Sequence, residues 1–110
     1  MGKIIYNKLV RDNIPEIIKH DKAEPQTRIL GQEEYLKELF KKLEEEVREA
    51  TEAMVDKKEL IKEIGDVYEV IDAIIDNCGL DKAEIMELKD ERKIERGGFS
   101  KKIFLESVES

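Results

Sequence analysis

Leu43-Glu44-Glu45-Glu46-Val47-Arg48-Glu49 and, after residues 50 to 62, Glu63-Ile64-Gly65-Asp66 form the pattern E-E-x-x-E followed by E-x-x-D. Both halves lie in helix-forming sequence. Residues three and four apart are neighbours on a helix surface. Glu46 and Glu49 therefore share a face, Glu45 and Glu49 share an overlapping one, and Glu63 and Asp66 share a face of the next helix. Like charges at this spacing cost an isolated helix about 0.2–0.5 kcal/mol per pair. Two such faces brought together also raise each other's pKa values. A hard divalent cation relieves both problems, because Mg²⁺ takes oxygen ligands from carboxylates, water and substrate phosphate.

Taken alone, Glu44 to Glu49 also reads as the solvated face of a surface helix. The second half of the pattern argues otherwise. Glu63 and Asp66 interleave with Leu60, Ile64, Val67 and Ile71, at the edge of an apolar stripe where free charge is costly. The expectation is a magnesium site that handles a polyphosphate.

Working outward, the apolar residues Leu36, Leu39, Phe40, Leu43, Val47, Ala50 and Met54 recur at spacings of three and four. They predict a helix over about 32–54. Asp56 with Glu59 makes a capping box that opens a second helix. It carries Leu60, Ile64, Val67, Ile71, Ile74 and Ile75 and ends near Cys78, with Gly79 in the left-handed position. The short link between the helices predicts an antiparallel hairpin, which sets the Glu46/Glu49 face opposite the Glu63/Asp66 face. Asp81 and Glu84 form a further capping box, opening a third long helix to about residue 95 with Ile85 and Leu88 buried. Lys89, Lys93 and Arg96 make one basic stripe on it, readable as a phosphate clamp or as an ordinary exposed face.

Toward the start of the chain, Asn13 and Pro15 predict a short helix over about 14–20, followed by a polar loop. Arg28-Ile29-Leu30 and Ile103-Phe104-Leu105 read as short strands that pair into a minor two-stranded β element. The fold class is thus all-α: an antiparallel helical hairpin plus a third helix, in a single domain over 1–110.

Composition narrows the function. Charged residues make up 43% of the chain and aromatics 5%, with one cysteine and a net charge of −7. Residues 1–31 carry six Lys/Arg and four Asp/Glu, residues 32–76 seven and fifteen, and residues 77–110 seven and eight. The acidity belongs to the segment holding the carboxylate pattern. Such a distribution argues against a nucleic-acid polymer as partner, while a nucleotide could bind through metal ions. One cysteine allows no internal disulfide. No apolar run reaches the ~20 residues of a membrane span, and residues 1–19 lack an apolar signal segment. The expected partners therefore include no membrane, and the expected location is cytoplasmic.

The paired carboxylate pattern, the N-terminal Tyr6-Asn7-Lys8-Leu9-Val10-Arg11-Asp12 running into Ile14-Pro15, and the late Glu95-Arg96-Gly97-Gly98-Phe99 together resemble the all-α nucleoside triphosphate pyrophosphatase superfamily. Its members include MazG-type enzymes, dimeric dUTPases and phosphoribosyl-ATP pyrophosphohydrolase. The likeness spans nearly the whole chain and is nearest to the compact house-cleaning branch. It implies a homo-oligomer, a dimer or tetramer, in which helices of different subunits form a multi-helix bundle. It also implies Mg²⁺-dependent hydrolysis of a nucleoside triphosphate between its α- and β-phosphates, releasing a nucleoside monophosphate and pyrophosphate. Matched position by position, Glu46, Glu49, Glu63 and Asp66 are the implied metal ligands, and Glu45 is a residue that orients or deprotonates the attacking water. Lys89, Lys93 and Arg96, with Lys8 and Arg11, are the implied phosphate contacts. Phosphoribosyl-ATP hydrolysis uses the same chemistry and is the alternative substrate. A non-catalytic helical dimerisation module is the alternative from outside enzymology.

Overall fold

The computed structural model describes residues 2–110 and contains four helices: α1 (Ile14–His20), α2 (Gln32–Glu52), α3 (Lys57–Asn77) and α4 (Lys82–Arg96). The chain divides into two compact units, one ending at Cys78 and the other running from Gly79 to Ser110.

In the first unit α2 and α3 pack side by side. The start of α2 meets the end of α3. Gln32 Nε2 donates to the Asn77 carbonyl at 3.4 Å, and Asn77 Nδ2 donates to the Tyr35 hydroxyl at 3.2 Å. The pair is therefore antiparallel, as the short link requires. That link is a turn at Ala53 to Val55, closed when Asp56 N–H donates to the Ala53 carbonyl at 3.0 Å. Helix α3 begins at Asp56, whose side chain accepts from the N–H groups of Lys58 and Glu59 at 3.1 and 3.2 Å. Removing that carboxylate orphans two helix-start donors, so Asp56→Ala should lower stability by about 0.5–2 kcal/mol, measured by urea denaturation. The helix stops at Cys78, and Gly79 follows at φ 64°, a conformation that costs glycine nothing.

The core is small. Leu39 of α2 and Val70 and Ile74 of α3 form its buried cluster, with Leu9, Tyr35, Leu36, Leu43 and Ala73 packed against it. Its register is regular. Gln32, Leu39 and Glu46 are seven residues apart on α2, and Asn77, Val70 and Glu63 are seven apart on α3. Seven residues are two helical turns, so each set lies along one seam. The seam is held by amides at one end and by apolar side chains in the middle. It continues at its far end into two glutamates.

In the second unit Asp81 accepts from the Ala83 N–H at 2.9 Å and opens α4. The helix ends at Gly97, at φ 83°. Ile85 is half-buried, but Leu88, expected to be buried, is 56% exposed.

The minor β element is corrected: no strand occurs among the described residues. Residues 28–30 and 103–105 belong to no helix or strand. Segments of three residues are too short for a stable ribbon, which is marginal even when longer. The Arg28 guanidinium is also committed locally, donating to both oxygens of Glu34 at 3.0 and 2.7 Å.

Candidate metal centre

Two core positions of the hairpin seam are occupied by carboxylates. Glu46 lies one heptad beyond Leu39, and Glu63 lies one heptad before Val70, so the turn geometry that buries the apolar pair buries the acidic pair too. Glu46 is 6% exposed and Glu63 8%. Asp66, one turn further along α3, is half-buried on the same side. One oxygen from each of Glu46, Glu63 and Asp66 lies within 4.8 Å of the others.

Burying an ionised carboxylate is costly unless its oxygens are satisfied. Here they are only half satisfied. Glu46 Oε1 is 3.4 Å from Lys42 Nζ, and Glu63 Oε1 is 3.4 Å from Lys62 Nζ. Glu46 Oε2 and Glu63 Oε2 are buried with no hydrogen-bond partner. Asp66 accepts from Arg11 at 2.8 Å. These two orphaned oxygens, beside a third carboxylate, fit a hard divalent cation. Oxygens around one Mg²⁺ lie no more than about 4.2 Å apart and those around Ca²⁺ up to about 5 Å. The cluster is the right size for one such ion, with a small closing of the carboxylates for Mg²⁺.

Glu49 stands beside this triad and interacts with both Glu46 and Glu63. Burial first, and then the neighbouring Glu46 and Glu45 carboxylates, push its pKa above the ordinary 4.5, partly offset by a hydrogen bond with Glu63. An acid whose pKa is raised on folding stabilises the fold while it is protonated and loses that contribution as pH rises through the folded pKa. Metal-free chain should therefore lose stability as pH rises from about 4.5 through the raised Glu49 pKa, read from melting temperatures in a chelating buffer. The Glu49→Gln variant should flatten this slope. The opposite charge of Glu63 acts on its own neighbour: it raises the pKa of Lys62, chiefly through direct attraction.

The N-terminal segment lies against the same end of the hairpin. Lys8 Nζ is 3.4 Å from Glu45 Oε1, and Arg11 reaches Asp66 across 55 residues of sequence. Asn7, just before Lys8, is at φ 46°, a left-handed conformation that asparagine tolerates better than most residues. Lys42, which sequence reasoning missed, sits between Glu45 at 3.6 Å and Glu46 at 3.4 Å, with its side chain 17% exposed. Its position three and four residues before those glutamates was the available signal. A cleft of about 180 Å³ adjoins Glu45, lined by Asn7, Lys8 and Leu9 on one side and by Glu38, Lys41, Lys42 and Glu45 on the other. A larger hollow, about 400 Å³, lies at the start of α2 around Gly31 to Glu34 and Lys37. Its lining residues are all exposed, and none belongs to the acidic cluster.

Of the residues singled out in the sequence, the structure thus brings together Glu46, Glu63 and Asp66, places Glu45 and Glu49 beside them, and adds Lys8 and Arg11. Lys89, Lys93 and Arg96 lie on α4 in the second unit. All three are exposed, and Lys89 pairs with the adjacent Asp90 at 3.2 Å. Among the described residues, no helix is long and apolar enough to cross a membrane. No family model, no curated protein and no solved structure matches the chain.

Proposed function

We propose that the chain is a Mg²⁺-dependent nucleotide pyrophosphohydrolase, cleaving a nucleoside triphosphate between its α- and β-phosphates. A damaged or non-standard nucleotide is the substrate class favoured by the house-cleaning resemblance. The observation that carries the reading is the pair of orphaned oxygens on Glu46 and Glu63, buried at two core positions with Asp66 beside them. A scaffold built only to associate would place apolar residues there, because such residues pack at no electrostatic cost. Two buried carboxylates at core positions therefore count against a non-catalytic dimerisation module.

In this reading Glu46, Glu63 and Asp66 hold the cation, with Glu49 in reserve at its edge. Bound there, a divalent ion would neutralise the polyphosphate and polarise the attacked phosphorus. Glu45 is half-buried and held by Lys8 and Lys42. It orients a water in line with the α-phosphorus and takes its proton. The water oxygen bonds to that phosphorus as the bridge to the β-phosphate breaks, and pyrophosphate leaves. Lys8 and Arg11 offset charge on the phosphates. The basic stripe Lys89, Lys93 and Arg96 enters this reading on the resemblance alone. Positioning and electrostatics carry phosphoryl transfer, with little covalent work by the protein.

Association into a dimer or tetramer belongs to the same proposal. Phe40 and Val47, seven apart on α2, are 51% and 49% exposed, Met54 in the turn that follows is 66% exposed, and Ile61, Ile64 and Tyr68 on α3 are 66%, 43% and 63% exposed. These spacings are those of a helix-packing seam, and exposed apolar surface of this regularity marks an interface.

The test is pyrophosphate release from a panel of ordinary and damaged nucleoside triphosphates and phosphoribosyl-ATP, with and without Mg²⁺. Mg²⁺-dependent release from one class is the expected result. A folded chain that releases pyrophosphate from none of them would count against the reading.

A further inference from the structure

Every carboxylate of the triad, and Glu45 beside it, carries a cation supplied by the chain itself. Lys42 serves Glu45 and Glu46, Lys8 serves Glu45, Lys62 serves Glu63, and Arg11 serves Asp66. Lys42 differs from the others. Its side chain is 17% exposed, against 41%, 67% and 57% for Lys8, Lys62 and Arg11, so its charge is the least screened by water. Even so it leaves Glu46 Oε2 without a partner. One ammonium group cannot satisfy a buried carboxylate that a divalent ion would satisfy.

A cation held by Glu46 and an ammonium group on the same carboxylate repel each other at short range, where the local dielectric is low. The side chain that can move is the flexible lysine. It has somewhere to go, because Lys42 already lines the adjoining cleft with Lys8 and Lys41. Of the groups lining its roughly 180 Å³, Lys41 is paired with Glu38 at 3.0 Å, so the charges able to meet a phosphate group there are Lys8 and Lys42, against the single carboxylate of Glu45.

We propose that Lys42 is a place-holding cation: it pairs with Glu45 and Glu46 in the metal-free chain and, when a divalent ion takes Glu46, turns with Lys8 into the adjoining cleft to bind a phosphate group of the substrate. This rests on the cation site proposed above. Metal and anion then bind cooperatively, and linkage makes the effect reciprocal. The chain keeps its acidic cluster neutralised when metal is scarce, and its phosphate-binding lysines become available only when metal is present.

Calorimetric titration of the full chain with Mn²⁺, and with inorganic phosphate at zero and saturating Mn²⁺, tests this without turnover. Wild type should bind phosphate about tenfold more tightly with Mn²⁺ than without, within the usual span of coupled sites. Lys42→Met keeps the aliphatic stem and removes the charge. It should bind Mn²⁺ about tenfold more tightly than wild type, with no lysine to displace, and Mn²⁺ should no longer strengthen its phosphate binding. Lys41→Met is the control, because Lys41 pairs with Glu38 at 3.0 Å instead. Its Mn²⁺ affinity should stay near wild type. If Lys42→Met shifts Mn²⁺ affinity no more than Lys41→Met, or keeps the wild-type coupling, the place-holding role is overturned while the cation site stands. If wild type and both variants, all folded by circular dichroism, bind no Mn²⁺, the cation site itself is overturned.

Discussion

Glu63→Gln should make the metal-free chain more stable and, at the same time, remove the Mg²⁺-dependent hydrolysis proposed for it. The two effects have one cause. Glu63 is charged, buried and left with an orphaned oxygen near Glu46 and Asp66. Ionised, it carries a desolvation cost and repels two like charges. A glutamine of the same shape removes the charge and offers an N–H₂ that can donate to the neighbouring carboxylate oxygens. An unsatisfied buried polar group costs about 1–3 kcal/mol. The lost ion pair with Lys62, whose side chain is 67% exposed, is worth at most about 1 kcal/mol. Stabilisation wins, and a gain of about 1 kcal/mol raises the melting temperature of a domain this size by about 4–8 °C. Hydrolysis should fall by about 10²–10³-fold, the scale on which removing one stabilising group at a reacting centre acts. Differential scanning calorimetry in a chelating buffer and a pyrophosphate-release assay check the two halves. A destabilised variant that keeps its activity would contradict both.

The second large effect is on the fold. Leu39→Ala should cost about 2–5 kcal/mol, a large part of the about 5–15 kcal/mol a domain has to lose. Leu39 is 3% exposed, the most deeply buried apolar residue, and the hairpin buries only three others, Val70, Ile74 and Ile75. Nothing nearby can close the gap, because Leu36 and Leu43 already pack against the same cluster. The same truncation at Val47, 49% exposed, should cost far less in isolated hairpins. Urea denaturation of both variants gives the comparison.

The hairpin was legible because its signals are local. Apolar spacings of three and four, the Asp56 cap and Gly79 each act within one or two turns, and each is found where the residues placed it. Glu46 and Glu63 were legible as a facing pair because a short link permits one antiparallel register. Their depth was not: the stripe read from the sequence ran through Leu60, Ile64, Val67 and Ile71 with Glu63 at its edge, whereas the seam runs through Val70 and leaves Ile64 43% exposed. The Arg11–Asp66 contact, spanning 55 residues, leaves no local trace. Lys42 was hidden for another reason. A lysine three and four residues before glutamates looks like any exposed helix pair, and only burial shows it to be part of the cluster. The strands failed because a run such as Ile103-Phe104-Leu105 carries β propensity without a partner to pair with, and propensity in a sheet is mostly a statement about neighbours.

Regularly spaced apolar residues on the outer faces of α2 and α3 and acidic residues on their inner seam divide the work of the hairpin. In the proposed function one set offers surface for association and the other gathers negative charge that can hold a cation.

The most direct measurement is an anomalous difference map from crystals grown with Mn²⁺. A peak is expected within coordination distance of the Glu46, Glu63 and Asp66 carboxylates, with Lys42 no longer on Glu46. A map with no peak there, and with those carboxylates still paired to Lys42, Lys62 and Arg11, would contradict the proposed cation site.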